Sequence, residues 1–457
     1  MSRRIHIVGI GGAGMSAIAR VLQERGEQVT GSDRAPSTFS EALQADGVMV
    51  TYHHSADNVA GADLVLASAA IAEDNVELAA ARQAGISVLR RDAFWSELTG
   101  GSRTLAVAGT HGKTTTSGLI AWLLSQTGRD PSFIVGGELL DLGVNARAGH
   151  GGSFVIEADE YGLAFLGMHP ETAVITNVEH DHPDQFPTPA SMHEAFQTFV
   201  DQVTGMLILG VDDEGARSLE SPGRQRISFG LSDQADWRAE ELRPNGAGGS
   251  DFLVLRQGEV LGLARTRLPG RHNVVNALGA LAAVDAVGVP FAEVRGPLTE
   301  FRGAARRFQV VGQAAGATVI DDYAHHPTEI RAALQAARQR YPDARLVAVF
   351  QPHTFSRTKQ FLPQLAGAFD QADRVIVTDI YASREAPDPT IDSARVVAAL
   401  DHGQASHIGS LQAAATQVLT ELTPGTVVIT LSAGDGNEVA RLVWQGWQAS
   451  EGGKNDG

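Results

Sequence analysis

The chain has no cysteine, which removes disulfides, zinc-thiolate sites and thiol nucleophiles together. Its chemistry must use oxygen and nitrogen groups. Lysine is almost absent too: Lys113, Lys359 and Lys454 are the only three, and every other basic side chain apart from histidine is arginine. No apolar run reaches the roughly 20 residues that a membrane-spanning helix needs. The opening MSRRIHIVGIGGAGMS begins basic and turns apolar, but its glycines and the lack of a small-residue cleavage site fit strand, turn and helix better than a secretion signal. We expect a cytoplasmic protein with no membrane partner. A formal charge of -17 also disfavours nucleic acid as a partner.

A chain of 457 residues suits about three domains of roughly 150 residues each. The pattern predicts an α/β protein. Its first unit, residues 1–100, opens with a strand at Arg4 to Val8, a glycine turn, a helix from Ser16 to Glu24 and a second strand from Glu27 to Gly31. Gly100, Gly101 and Ser102 break the pattern. A central unit, 103–302, starts with a strand at Thr104 to Ala108 and a helix to about Gln126, continues with strands at Phe154 to Glu157, Ala173 to Asn177 and Met206 to Leu209, and ends on an alanine-rich helix. The third unit, 303–449, alternates strands and helices again, and residues 450–457 have the composition of a flexible tail. The fold class that follows is Rossmann-like first and third units around a central P-loop-type mononucleotide-binding sheet.

GTHGKTTT lies between a predicted strand and helix, where backbone N–H groups and the helix N-terminus favour a polyphosphate. Gly109, Thr110, Gly112, Lys113, Thr114 and Thr115 form the expected ATP cradle, with Lys113 on the terminal phosphates and the Thr114 hydroxyl on Mg²⁺. The spacing is shorter than the common GxxxxGK[ST]. Glu157 ends an apolar strand and is a natural second metal ligand; TNVEHDH brings Asn177, His180, Asp181 and His182 to the end of the next strand, with His182 the preferred third ligand. Near the start, GIGGAGM with Asp33 at the end of the second strand is compatible with a dinucleotide, which would suggest a NAD-linked dehydrogenase, and equally with the diphosphate of a UDP-sugar.

Taken together, VGIGGAGMS, GTHGKTTT, EADEY, TNVEHDH, GRHNVVNAL, RRF, DDYAHHPTE, QPHTFSRT and LSAGD resemble the Mur ligase family, in its alanine-adding branch. That resemblance implies three domains that bind a UDP-sugar, ATP and an amino acid, and it favours UDP over NAD at the first glycine turn. UDP-N-acetylmuramate and L-alanine are then the substrates, ATP and Mg²⁺ the cofactors, and a monomer or weak homodimer the expected state. The UDP-sugar set is Gly11, Gly12, Ala13, Gly14, Met15, Ser32, Asp33 and Asn177. Asn273 and Asn276, with His272 beside them, correspond to adenine-binding positions, and Arg307 and Asp322 to positions that reach ATP from the third domain. His325, His353 and Arg357 correspond to the amino-acid pocket and, with Lys113, Glu157 and His182, complete the expected catalytic set.

Two histidines, His325 and His353, have the intrinsic pKa of a base for the incoming amine. The choice between them stays open. Arg357 is expected to fork onto the amino acid's carboxylate. Some alanine-adding relatives carry an arginine directly after the histidine of QPH; this chain has Thr354 there. Other branches of the family bridge their metals with a carbamylated lysine, a device excluded here because no lysine lies between Lys113 and Lys359. A recycling ligase that attaches a preformed tripeptide to the same sugar nucleotide is the nearest alternative.

Overall fold

The structure is a computed structural model that describes residues 2–452. Three sheets divide the chain. The first is wholly parallel and runs Met49–Thr51, Gln28–Ser32, Arg4–Val8, Leu64–Ala67, Ser87–Arg90 across its width. Its strands are short and mostly apolar, as buried parallel strands must be when helices cover both faces.

The central sheet has ten strands. Its middle strand, Arg103–Ala108, pairs in parallel with Ser153–Glu157 on one side and Thr172–Ile175 on the other. The chain crosses over between those neighbours, so a cleft opens at their carboxyl ends. Register fixes what lines it: Val107 lies opposite Glu157, and Ala108 opposite Ile175. Glu157 and the Thr176–Asn177 turn therefore flank the loop that follows Ala108. Residues from Asp212 to Arg267, rich in glycine and polar residues with short alternating runs, add four strands that extend this sheet, the last three as antiparallel hairpins.

The third sheet orders Gln309–Ala314, Ala317–Asp322, Thr426–Leu431, Arg345–Phe350, Arg374–Val377 and Ala405–His407, parallel except at the first strand. Asp322, Leu431 and Phe350 stand in register at one edge. DDYAHHPTE, LSAGD and QPHTFSRT thus leave the sheet side by side. The final helix, Asn437–Gly452, continues past Ser450, where the sequence suggested a tail; residues 453–457, Lys454 among them, lie outside the described residues. Among the described residues no helix is long and apolar enough to cross a membrane.

Candidate active site

The loop after Ala108 turns at Gly112, whose φ of +81° is left-handed and whose missing Cβ leaves room for the Asn276 amide. Any side chain there would collide with it. The helix Lys113–Gln126 begins at once, and Gly112 offers its N-terminus no side-chain cap, so its first N–H groups stay open to a ligand. His111 N–H donates to Asn177 Oδ1 (2.8 Å), and Asn177 Nδ2 donates back to the His111 carbonyl (3.1 Å). Asn177, grouped with the UDP-sugar residues in the sequence, instead clamps the phosphate loop.

Lys113 Nζ folds back onto the Gly109 carbonyl (2.6 Å) and onto both oxygens of Glu160 (2.7 and 3.0 Å). Glu160 is buried, and burial lifts its pKa to about 7 although the Lys113 charge opposes the rise. Thr114 Oγ1 donates to Glu157 Oε1 (3.0 Å), and Glu157 Oε2 accepts the Gly136 N–H (2.5 Å). A hydroxyl and a carboxylate held this close form a hard-oxygen pair suited to Mg²⁺. His182 stands with different partners: Nε2 is 3.7 Å from Glu160 Oε1, and Nδ1 accepts from Arg357.

One cavity of about 340 Å³ is lined by Gly112, Thr114 and Thr115 of the loop, by His272, Asn273 and Asn276, and by Arg307 and Asp322. Gly109, Thr110 and Lys113 do not line it. Asn273 Nδ2 donates to the Pro269 carbonyl (2.7 Å) and its Oδ1 accepts from Asn276 (3.2 Å), which fixes both amides at the wall. Asp322 accepts the N–H groups of Phe308 and Ala324, while Arg307 reaches Thr114 Oγ1 at 3.5 Å across the domain boundary.

That boundary carries a contact the sequence did not suggest. His111 hydrogen-bonds Glu179 through Nε2 (2.9 Å) and Glu329 of the third domain through Nδ1 (3.1 Å). Burial alone would lower its pKa, but the two carboxylates outweigh burial and lift it to about 9. Relative to a free imidazole near 6.5, the bridge contributes fully below pH 6.5 and is lost as pH rises through 9. Stability is therefore expected to fall between pH 6.5 and 9, by an amount on the order of 1–3 kcal/mol, and the melting midpoint to fall with it. A melting series should show that slope in the parent protein and not in His111→Gln; equal slopes in both would remove the bridge as its source.

Deeper in the same boundary, Asp181 takes a forked pair from Arg357, Nε to Oδ1 at 2.7 Å and Nη2 to Oδ2 at 3.2 Å. Both side chains are buried. Burial would raise the Asp181 pKa, yet the Arg357 charge holds it far below the usual carboxylate range. Arg357 also donates to His353 Nδ1 (2.9 Å) and His182 Nδ1 (3.2 Å). The arginine expected to grip an amino acid is thus committed to the protein. His325 lies against the same group, its Nε2 3.9 Å from Asp181 and its ring 5.8 Å from that of His353.

In the first domain the helix Ala13–Glu24 starts from Gly12 with no side-chain cap. Asp33 Oδ2 accepts the Gly11 N–H (2.8 Å), so its carboxylate shapes the turn. Gly14 leaves the space that the Arg91 guanidinium occupies: a Cβ there would lie 2.8 Å from Nη1. Arg91 was missed in the sequence, and a cation beside an open helix N-terminus suits a diphosphate. Gly11, Gly12, Ala13, Gly14 and Asp33 gather at this mouth. Met15 and Ser32 do not: Met15 is in the core, and buried Ser32 donates to Glu77 (2.7 Å).

Comparison with known proteins agrees with this layout. Residues 4–103 match the model of the Mur ligase family catalytic domain, 107–284 the Mur ligase middle domain, and 306–434 the Mur ligase glutamate ligase domain. A UDP-N-acetylmuramate--L-alanine ligase of Roseiflexus sp. (strain RS-1) is 43% identical over 96% of this chain and 98% of its own length. One from Thermobifida fusca (strain YX) is 40% identical over 95% of each. Among solved structures, the UDP-N-acetylmuramate-alanine ligase of Thermotoga maritima superposes with a TM-score of 0.81 at 29% identity, covering 98% of this chain and 100% of that one. A murein peptide ligase of Psychrobacter arcticus 273-4 reaches 0.70 at 25%, over 97% and 98%.

Proposed function

The chain belongs to the Mur ligase family, and we propose that it joins L-alanine to the lactyl carboxylate of UDP-N-acetylmuramate, using ATP and Mg²⁺. The observation that carries this reading is a cavity walled by the phosphate loop, by Asn273 and Asn276, and by Arg307 and Asp322 of the third domain. The central and third domains thus share the walls of one space beside that loop.

A carboxylate does not accept an amine, because its oxygen is too poor a leaving group. Transfer of the γ-phosphoryl of ATP makes an acyl phosphate and ADP; the amine then attacks the acyl carbon, and inorganic phosphate leaves with the C–O bond. Thr114 and Glu157 hold Mg²⁺, with His182 as a further candidate ligand, and the ion supplies charge neutralisation to the phosphates when bound. Lys113 leaves Glu160 to meet the transferred phosphate. Arg307 adds a second positive charge from the opposite wall. In the first domain the Gly11–Gly14 turn and Arg91 hold the UDP diphosphate.

Chemistry distinguishes the two histidines. Arg357 has only donors, so His353 Nδ1 must accept from it, which leaves the proton on Nε2. Tyr323 offers His325 Nδ1 only a carbonyl (3.0 Å), so Nδ1 carries the proton and Nε2 keeps a lone pair. That favours His325 as the proton acceptor. Burial lowers its pKa to about 4, and it is neutral throughout the physiological range. His325→Gln is expected to lower kcat roughly 10²–10⁴-fold with the alanine KM little changed; a kcat loss confined to His353→Gln would reverse the assignment.

The reading as a whole is tested by phosphate release with UDP-N-acetylmuramate and a panel of amino acids. Turnover with L-alanine is expected. Turnover with L-alanyl-γ-D-glutamyl-diaminopimelate and not with L-alanine would make it the recycling ligase instead. No ATP hydrolysis with Mg²⁺ and both substrates present would end the ligase reading.

A further inference from the structure

The seam between the central and third domains holds a second group of ligating side chains, none of them shared with the Thr114–Glu157 pair. His111 and Glu179 come from the central domain and His326 from the third, and one ligand atom of each lies within 4.8 Å of those of the other two. His111 Nε2 is 2.9 Å from Glu179 Oε2, and His326 Nδ1 is 4.0 Å from the same oxygen. Two imidazoles and a carboxylate are the protein ligands of open zinc centres, whose tetrahedral bonds of about 2.0–2.2 Å set ligand atoms about 3.4 Å apart. The two distances here straddle that value.

The surroundings suit an ion as well as the spacing does. His111 Nδ1 meets Glu329 at 3.1 Å, so a carboxylate stands behind the ring and keeps Nε2 turned to Glu179. The same arrangement orients imidazoles bound to metals and strengthens them as ligands. His326 is 2% exposed; its Nδ1 accepts one bond of 3.2 Å from the Thr328 N–H, and its Nε2 is buried with no hydrogen-bond partner among the described residues. A buried imidazole satisfied so poorly calls for a physical reason. Its ring lies 4.8 Å from that of His111 and makes a T-shaped contact with Phe361 at 4.7 Å, which shields the group on the side of the third domain. His111 and Glu179 also line the nucleotide cavity, so an ion has a way in.

We propose that His111, Glu179 and His326 form a binding site for a transition-metal dication, zinc by its ligand chemistry, that clasps the third domain to the central one. The ion takes the place of the proton that His111 shares with Glu179, and that proton leaves to solvent. Mg²⁺ prefers hard oxygen ligands and is a weak partner for imidazole, so the site selects against the ion that accompanies ATP. An oxygen from the cavity, of water or phosphate, fills the fourth position. The inference goes beyond the ligase reading and stands without it, on ligand type and spacing.

Zinc titration of the full chain against a chromophoric chelator, at saturating Mg²⁺, tests it, with Co²⁺ as a spectroscopic stand-in. His326→Asn should weaken zinc binding by roughly 100-fold or more, since loss of a partner outside the ligand shell already costs about 10–100-fold. Asparagine is a good N-cap and keeps an acceptor for the Thr328 N–H, so the helix Pro327–Arg340 retains its start. Glu179→Gln should lose zinc to a similar degree. Co²⁺ should give the visible bands of a four-coordinate nitrogen–oxygen site in the parent protein and lose them in both variants. Zinc should also raise the melting midpoint of the parent and not that of His326→Asn. Undiminished zinc affinity in His326→Asn, with the loss falling on Glu157→Gln instead, would put the ion at the Mg²⁺ pair and overturn the proposal. A parent protein that takes no zinc from the chelator would overturn it as well.

Discussion

Lys113→Ala should retain its fold and lose ligation by roughly 10³-fold or more in kcat, since removal of one preorganised donor to a developing anion costs about 10²–10³-fold and Lys113 carries a full charge. The substitution also leaves Glu160 without its cation. Because Glu160 already sits at about pH 7, it can take up a proton at small cost, so the melting temperature should move little. Phosphate release and calorimetric nucleotide titration, measured beside thermal melting, separate the two effects. A variant that keeps a tenth of the parent rate would show that the loop's backbone and Mg²⁺ carry the phosphoryl transfer without the ammonium.

Asp181→Ala is the second large effect. Arg357 would be left buried and unpaired beside two histidines, and breaking one partner out of a buried pair costs about 3–5 kcal/mol. Asp181 comes from the central domain and Arg357 from the third, 176 positions apart. The chain can escape the cost by parting the two domains and letting water reach the guanidinium. A population shift of that size amounts to a factor of roughly 10²–10⁴ toward open forms. Small-angle scattering should show a larger radius of gyration for Asp181→Ala than for the parent, with activity lost in proportion. The double variant Asp181→Leu/Arg357→Met should close again while remaining inactive. Identical scattering for parent and single variant would mean that other contacts hold the domains together.

Much of this was legible from local sequence. The strand Arg4–Val8 has the expected limits, and the strands expected at Thr104 to Ala108 and Phe154 to Glu157 each start one residue earlier, because continuous apolar runs between turn signals specify buried parallel strands. The glycine turn between the strand Arg103–Ala108 and the helix Lys113–Gln126 was legible because its neighbours in sequence are its neighbours in space. What escaped were pairings between distant segments. Asn177 ends a strand like any polar terminus, and nothing local reveals that its amide closes on His111. Glu160 and Glu157 share one short motif, yet only their orientations decide which faces Thr114 and which faces Lys113. Arg357 looked like a ligand-binding arginine because its buried partner, Asp181, lies in another domain. Ser32 and Met15 adjoin the first glycine turn, but strand and helix geometry turns their side chains inward.

The Lys113–Glu160 contact has one more implication. A seat for a triphosphate that kept its ammonium solvated would have to strip water from it at every turnover. Here the cation is already largely withdrawn from water and already opposite an anion, so the arriving phosphate trades places with a carboxylate, and the carboxylate can leave the exchange by accepting a hydrogen ion. Nucleotide capture then carries a proton with it, and the tightness of that capture should follow the acidity of the medium around neutrality.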